Sequence, residues 1–200
     1  MEERHRYRSI ILFGMPGSGK GTQGTVLGQL PDWIHISMGD VFRKIPRNGK
    51  FGREIEQYTS QGGLVPDDLT VRIFERHLNI LEMQDMIIPE QHILILDGLP
   101  RNYAQAERLS GFIDVIQIFH LKINDTAKAI ERLRARALRE NRLDDMSEDV
   151  IRRRIQTYYD ETFETLSYYP AELIYDVDGG RRMIDVLCDL ANRLSQIKKP

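Results

Sequence analysis

The stretch that most constrains the fold is Gly14–Thr22, a glycine-rich loop between an apolar run and a helical pattern. It reads Gly-Met-Pro-Gly-Ser-Gly-Lys-Gly-Thr and has the form GxxxxGK, although Gly21 stands where a Ser or Thr usually follows the lysine. Glycines let backbone N–H groups point at phosphate oxygens, and the helix N-terminus adds a favourable dipole. The residues expected to contact a nucleotide's phosphates are Gly17, Ser18, Gly19, Lys20, Gly21 and Thr22. The loop predicts a strand–loop–helix unit that binds a phosphate chain.

Short apolar runs alternate with helical periods along the rest of the chain. The predicted strands are Ser9–Phe13, Trp33–Ile36, His92–Leu96, Val115–Leu121 and Leu173–Val177. The predicted helices are Gly21–Leu30, Asp67–Leu81, Asn102–Leu109, Asp125–Leu138, Ser147–Tyr168 and Arg181–Ile197. This alternation favours an α/β fold with a five-stranded parallel sheet flanked by helices. In such sheets ligands bind beyond the carboxyl ends of the strands.

Composition narrows the class of protein. The 200 residues are 41% hydrophobic and 29% charged, typical of one soluble domain, and the net charge of -2 argues against nucleic acid as a partner. No apolar stretch approaches the roughly 18 residues of a membrane span, and no targeting signal is evident, so the cytoplasm is expected. The single cysteine, Cys188, excludes an internal disulfide; its helical pattern predicts a buried, inert thiol. The five histidines are too scattered for a metal site.

Charged residues follow two predicted strands. Arg43 comes after the second strand, where it is either a solvated arginine at a helix start or a phosphate ligand. Asp97 ends the third strand, where a carboxylate facing a phosphate loop could hold the water shell of Mg²⁺, unless Asp97-Gly98 only forms a turn. At the start of the second predicted helix, Asp67–Leu81, either Asp67 or Asp68 is the expected N-cap.

Eight arginines lie between Arg132 and Arg154. Arg132, Arg136 and Arg139 have the spacing of one helix face, and Arg142 follows them. Guanidinium groups suit phosphate oxygens and can stabilise the charge of a phosphoryl-transfer transition state. The alternatives are a solvated charged helix pair or an RNA-binding face.

These segments together resemble the nucleoside monophosphate kinases, that is, the adenylate kinases and their UMP/CMP kinase relatives. The loop GMPGSGKGTQ is similar to their GxPGxGKGTQ, SMGDVFR to STGDxxR, GGLVP to GxLVP, and DGLPR to DGFPR. The arginine-rich RLRARALRENRLDD and the late Val-Asp-Gly are also similar to family segments. The likeness covers roughly residues 8–195, with the motifs in the family's order. Glycine after the loop lysine is the family's own pattern, with Mg²⁺ held largely through water.

The resemblance implies an AMP site on the acceptor side. Arg43 and Arg101 would grip the acceptor phosphate, and the turn around Gly63, Leu64 and Val65 would cover base and ribose, with Gly98 beside it. Met38 stands where the family has Thr, which replaces a hydroxyl by a thioether near the base. Adenylate kinases carry Gln where Gln105 stands, whose amide can pair with adenine, whereas UMP/CMP kinases carry Asn.

The resemblance also implies a short mobile lid. Arg132, Arg136 and Gly179 would contact ATP, and Arg142 and Arg154 would contact AMP, with Arg153 a rival for the last of these positions. The catalytic residues implied are Lys20, Arg101, Arg136, Arg142 and Arg154. The lid has no cysteine and therefore no zinc site.

As a whole the resemblance implies a P-loop domain with an acceptor-binding insertion at about 37–66 and a lid at about 135–145. It implies reversible transfer of the γ-phosphoryl group of ATP to AMP, giving two ADP, with Mg²⁺ held through water by Asp97. A monomer with no nucleic-acid or membrane partner is expected. The alternatives are a UMP/CMP kinase, a non-catalytic nucleotide-binding protein and an RNA-binding protein.

Overall fold

The computed structural model describes residues 6–140 and 147–197. Its strands are β1 (Tyr7–Phe13), β2 (Trp33–Ser37), β3 (Ile93–Asp97), β4 (Ile113–Lys122) and β5 (Ile174–Asp178). All pair in parallel, in the order β2-β3-β1-β4-β5. The predicted five-stranded parallel sheet is confirmed, and each predicted strand lies within a few residues of an observed one.

The two faces of the sheet carry separate hydrophobic clusters. In β1, Ile10 and Leu12 belong to the cluster under α1 (Lys20–Leu27) and α8 (Met183–Leu194). Ile11 and Phe13 belong to the cluster under α4 (Asp67–Met83). Successive side chains of a strand point to opposite faces, so a strand with helices on both sides is apolar at every position. The prediction of helices on both faces is confirmed.

The remaining helices are α2 (Met38–Lys44), α3 (Lys50–Thr59), α5 (Tyr103–Leu109), α6 (Thr126–Glu140) and α7 (Glu148–Thr157). Helix α3 was not among the predicted elements. Its apolar residues Phe51, Ile55 and Tyr58 have the spacing of one helix face, although only Gly52 and Ile55 are buried.

The single helix predicted over Ser147–Tyr168 is wrong. Helix α7 ends at Thr157 and is followed by a π-helical turn (Tyr158–Thr162) and a 3-10 turn (Phe163–Tyr168). Thr157 donates its hydroxyl to the carbonyl of Arg153, a local contact that competes with regular helical bonding and bends helices. The change of pitch therefore begins where a side chain enters the backbone ladder.

The prediction for Cys188 is also wrong, because this side chain is exposed. Helix α8 buries Val186, Leu190 and Leu194, which are four residues apart. A residue two positions after Val186 is rotated about 200° around the helix and faces solvent. The helical pattern was right, but the thiol lies on its outer face.

Among the described residues, no helix is both long and apolar enough to cross a bilayer.

Candidate active site

The site lies where the glycine-rich loop leaves β1, between the carboxyl ends of β3 and β4. A cavity of about 290 Å³ opens there. It is lined by Gly14 and Lys20 of the loop, by Arg101 after β3 and by Arg154 of α7. Open α/β sheets bind ligands at this kind of position. The fold thus brings the predicted loop and three of the predicted arginines, Arg43, Arg101 and Arg154, to one cavity.

The loop is shaped by glycines and held by its lysine. Gly17 and Gly19 have φ angles of 84° and 101°, which side chains with a Cβ rarely adopt. Nζ of Lys20 donates to the carbonyl of Gly14 at 2.6 Å and to that of Met15 at 3.0 Å. Within the described chain, the buried hydroxyl of Ser18 has no hydrogen-bond partner. The loop is therefore preformed and is held by the hydrogen bonds of Lys20 to its backbone. The hydroxyl of Ser18 is available to hydrogen-bond a ligand.

Lys20 is buried beside other cations, and both conditions lower the pKa of its ammonium group. Burial lowers the pKa of its ammonium to about 8; Asp97 opposes that shift, while Arg101, Arg136 and Arg154 add to it. Burial and nearby Arg154 likewise lower the pKa of Arg101 to about 10. Cations converging at this density are unfavourable unless an anion offsets them. The site is built to receive several negative charges.

Asp97 ends β3 opposite the loop, as predicted. A Cβ on Gly21 would lie 3.4 Å from its Oδ2, so glycine keeps the space between loop and carboxylate open. Nε2 of His35 lies 4.0 Å from the same oxygen. Asp97 thus places its carboxylate close to the phosphate loop.

The side chains near the loop suit one mode of Mg²⁺ binding, in which the nucleotide and water supply most of the ligands. The described residues contain no group of three His, Cys, Asp or Glu that could cage a metal. Mg²⁺ bound with a nucleotide commonly uses one or two carboxylates, phosphate oxygens and water. Asp97 fits that mode, because it supplies one carboxylate beside the space that phosphates would fill.

On the acceptor side the cavity is lined by Arg43, Gly63, Leu64 and Val65. The guanidinium of Arg43 pairs with Asp40 one turn away and is partly exposed. Met38 is 1% exposed, packs in the core cluster under α4, and is not among the residues that line the cavity.

Gln105 and Arg101 face the same cavity and bind each other. The N–H of Arg101 donates to Oε1 of Gln105 at 2.9 Å, and Nε of Arg101 donates to the carbonyl of Gly98 at 3.2 Å. Nε2 of Gln105 donates to Asp67 at 2.7 Å. Asp67 lies in the first turn of α4 with Pro66 as N-cap, so the expectation that Asp67 or Asp68 caps this helix is wrong.

The arginines of α6 and α7 divide into groups. Arg154 lines the cavity, whereas Arg153 is exposed and does not. Arg136 is half-buried and close enough to lower the pKa of Lys20, and Arg139 is exposed. Arg142 lies outside the described residues. The structure therefore brings Arg136 and Arg154 to the loop lysine and leaves Arg153 in solvent.

Arg132 holds the donor side together. Its guanidinium donates to the carbonyls of Gly17, Gly179, Gly180 and Arg181, the bond to Gly179 being 2.7 Å long. A Cβ on Gly179 would lie 2.7 Å from the carbonyl oxygen of Ser18. Glycine therefore lets the turn after β5 pack directly on the phosphate loop, and Arg132 ties the two together.

Several lining residues were not identified from the sequence. They are Phe42, Arg47, Ile55, Glu56, Thr59, Tyr158 and Thr162. Most belong to α3 or to the residues next to it. The side chain of Arg47 pairs with that of Glu56 on α3 at 3.0 Å. The spacing of Phe51 and Ile55 was the available signal for a helix there.

Comparison with known proteins matches residues 12–174 to the family model for adenylate kinase. The chain is 35% identical over 196 residues to an adenylate kinase of Cyanothece sp. (strain PCC 7425 / ATCC 29141), covering 94% of this chain and 96% of that protein. It is 32% identical to an adenylate kinase of Flavobacterium psychrophilum (94% and 97% covered). It is 33% identical to one of Maricaulis maris (94% and 99% covered).

Proposed function

The chain belongs to the adenylate kinase family of phosphotransferases, whose reaction is ATP plus AMP to two ADP, and we propose how its residues divide that work. The observation that supports this division is the convergence of Lys20, Arg101 and Arg154 on one cavity, which has the phosphate loop on one side and the turn Gly63–Val65 on the other. Three cations from three separate elements meet where phosphates of two nucleotides would meet.

The donor half consists of the loop Gly17–Thr22 with Arg132, Arg136 and Gly179. Loop N–H groups and Lys20 bind the β- and γ-phosphates of ATP. Arg132 already bonds to carbonyls on both the loop and the turn at Gly179, so it supports this half by fixing the two relative to each other. The adenine of ATP would lie beside that turn.

The acceptor half consists of Arg43, Arg101, Gly98 and the turn Gly63–Val65, with Gln105 at the base. Its cavity wall is continuous with the phosphate loop. Met38 is buried beneath this wall, so it supports the base site by packing unless the wall opens. We keep UMP and CMP as the alternative acceptors, because Met38 supplies no hydroxyl to a base.

Transfer needs positioning and cationic stabilisation more than acid–base chemistry. The attacking oxygen of AMP is already an anion, so no general base is required. Charge spreads over the equatorial oxygens of the moving phosphoryl group in the transition state. Lys20, Arg101, Arg136 and Arg154 are preorganised to stabilise that charge, and each such donor is worth roughly 10²–10³ in rate.

Mg²⁺ would be held near Asp97 through water and by the nucleotide's own phosphates. When bound, the ion offsets phosphate charge and orients the chain of phosphates. The carboxylate of Asp97 also opposes the lowering of the pKa of Lys20 by burial.

Two insertions would close over the nucleotides: the segment at about 37–66, which contains α2 and α3, and the lid at about 135–145. Closure would exclude water and protect ATP from hydrolysis. Arg142 would act on AMP from the lid. A monomer working in the cytoplasm is the setting we propose, in line with the single unpaired cysteine.

The assignment of residues to an ATP half and an AMP half of the site is tested by the Michaelis constants of Arg43→Ala for the two nucleotides. Loss of the acceptor clamp should raise KM for AMP far more than KM for ATP. Arg53→Ala is the control, since Arg53 is exposed on α3 and does not line the cavity. A larger effect on ATP than on AMP would mean that the two halves are assigned the wrong way round.

A further inference from the structure

Gln105 is held by a hydrogen-bond network that leaves its amide no choice of orientation. Its Oε1 accepts from the backbone N–H of Arg101 at 2.9 Å, and its Nε2 donates to Oδ1 of Asp67 at 2.7 Å. A backbone N–H can only donate and a carboxylate can only accept. The amide oxygen must therefore face Arg101, and the amide nitrogen must face Asp67.

Asp67 fixes more than one side chain. The same Oδ1 accepts from Nδ2 of Asn102 at 2.8 Å. Oδ1 of Asn102, the N-cap of α5, in turn accepts from the backbone N–H of Gln105 at 2.9 Å. One carboxylate on α4 thus orients both the cap of α5 and the amide that follows it.

The amide still has capacity for a ligand. An amide oxygen has two lone pairs and an amide nitrogen has two N–H groups. Its hydrogen bonds to the described residues use one of each. Gln105 is 1% exposed, yet it lines the cavity on the acceptor side. One acceptor and one donor, in a fixed order, remain for a base that enters there.

Because the amide of Gln105 cannot rotate, the positions of its free acceptor and its free donor are fixed, and they distinguish two kinds of purine. A 6-amino purine presents a donor at its 6-substituent and an acceptor at N1, whereas a 6-oxo purine presents an acceptor and a donor at those same places. For a base located by its phosphate and ribose, the amide fits one pattern and repels the other. A rotated amide would reverse the preference, but rotation would place N–H against the N–H of Arg101 and oxygen against the carboxylate of Asp67.

We infer that Asp67 is a positioning residue that makes the acceptor site selective for 6-amino over 6-oxo purine monophosphates. This inference rests on the proposed function, in which Gln105 meets the acceptor base. Asp67 does not touch the base itself. It acts by holding the amide of Gln105, with the N–H of Arg101 as the second anchor.

The test measures kcat/KM for AMP and for IMP, which differ at the 6-position and N1 and nowhere else. Asp67→Ala removes the obligate acceptor and should narrow the AMP:IMP ratio by about tenfold or more, the scale set by one mispaired buried hydrogen bond. Asp67→Asn should retain most of the ratio, because its carbonyl oxygen can still accept from Gln105. KM for ATP should stay unchanged in both variants.

Asp68→Ala is the matched control, since Asp68 is the next residue in the same helical turn and pairs with Arg108 on the surface. It should leave the ratio as in the parent. Should Asp67→Ala fail to fold, Asp67→Ser serves, because a hydroxyl can donate or accept and so sets no order. It should also narrow the ratio.

The outcomes separate this inference from the proposed function. A parent that uses AMP well and IMP poorly, with Asp67→Ala and Asp67→Ser keeping that ratio, overturns the role of Asp67 alone. Equal losses for AMP and IMP in those variants do the same, since they show a merely structural residue. A parent that uses both acceptors equally overturns the selectivity. A parent that does not phosphorylate AMP overturns the proposed function as well.

Discussion

Single residues set the charge state of the site, and Lys20 gives the clearest pH dependence. Burial lowers the pKa of Lys20 to about 8, so the free protein loses this positive charge as the pH rises through that value. A profile of kcat/KM reports groups of the free enzyme, whereas kcat reports those of the complex. We expect kcat/KM for ATP to fall above about pH 8, while kcat persists to higher pH because bound phosphates favour the ammonium form.

The pH profile of kcat, measured at saturating ATP, is the internal control in that experiment. If kcat/KM stayed level well above pH 8, the ammonium of Lys20 would not be what the free enzyme offers to ATP. If kcat fell at the same pH, the phosphates would not be close to the lysine.

Adjacent arginines provide a matched pair of variants. Arg154 lines the cavity and influences the pKa of both Lys20 and Arg101, whereas Arg153 is exposed. Arg154→Ala should lower kcat by roughly 10²-fold or more, the scale for removing one preorganised cation. Arg153→Ala should leave kcat unchanged. Steady-state kinetics of the two proteins decide between them, and a loss confined to Arg153→Ala would move the catalytic role by one residue.

Of the site residues, those in motifs were predictable from the sequence and those without one were not. Lys20, Asp97, Arg101 and Gln105 sit in short segments with recognisable spacing, and all four lie around the loop or cavity. Glu56 is polar on a polar helix, and nothing in its spacing indicates a cavity wall. Met38 was expected at the base but is buried, because its backbone position starts α2 while its side chain points to the core.

At the scale of elements, helices α6 and α7 are joined to the phosphate loop by a small apolar cluster. Met15 of the loop packs with Leu133 of α6 and with Ile151 and Ile155 of α7, and Ile151 is fully buried. The cluster explains how arginines far from the loop in sequence reach the site, because it packs the helices that carry them against the loop.

Ile151→Ala should therefore destabilise the protein by about 2–5 kcal/mol, as expected for a large-to-small change in a packed core. Leu138→Ala on α6 is the control: its side chain is 82% exposed, and its loss should cost no more than about 0.5 kcal/mol. Chemical denaturation measures both. Equal and small effects would show that the cluster does not hold α7 in place.

Elements with strong apolar periodicity were predictable, and elements shaped by tertiary contacts were not. The change of pitch after Thr157 coincides with Tyr158, whose hydroxyl lies 3.1 Å from Nε2 of the buried His120 on β4. His120 in turn contacts Asp176 on β5 at 3.0 Å. Such a contact joins residues far apart in sequence, so a pattern confined to one window cannot show where the helix will widen.

At the scale of the whole molecule, the strand order explains why the motifs converge. β1 lies between β3 and β4, so the loop after β1, Asp97 at the end of β3 and the segment after β4 meet at one edge. The parallel sheet followed from alternating strands and helices, but the order of strands did not, because periodicity gives the type of element and not its neighbours. The site depends on that order.

Transfer of the γ-phosphoryl group of ATP to AMP is tested most directly by the initial rates of transfer from ATP to AMP, CMP and UMP. We expect AMP to be the best acceptor, with CMP and UMP slower in kcat/KM by at least roughly tenfold, the low end of what a mispaired base costs. Equal kcat/KM for CMP or UMP would contradict the adenine assignment. No transfer to any of the three would contradict the function itself.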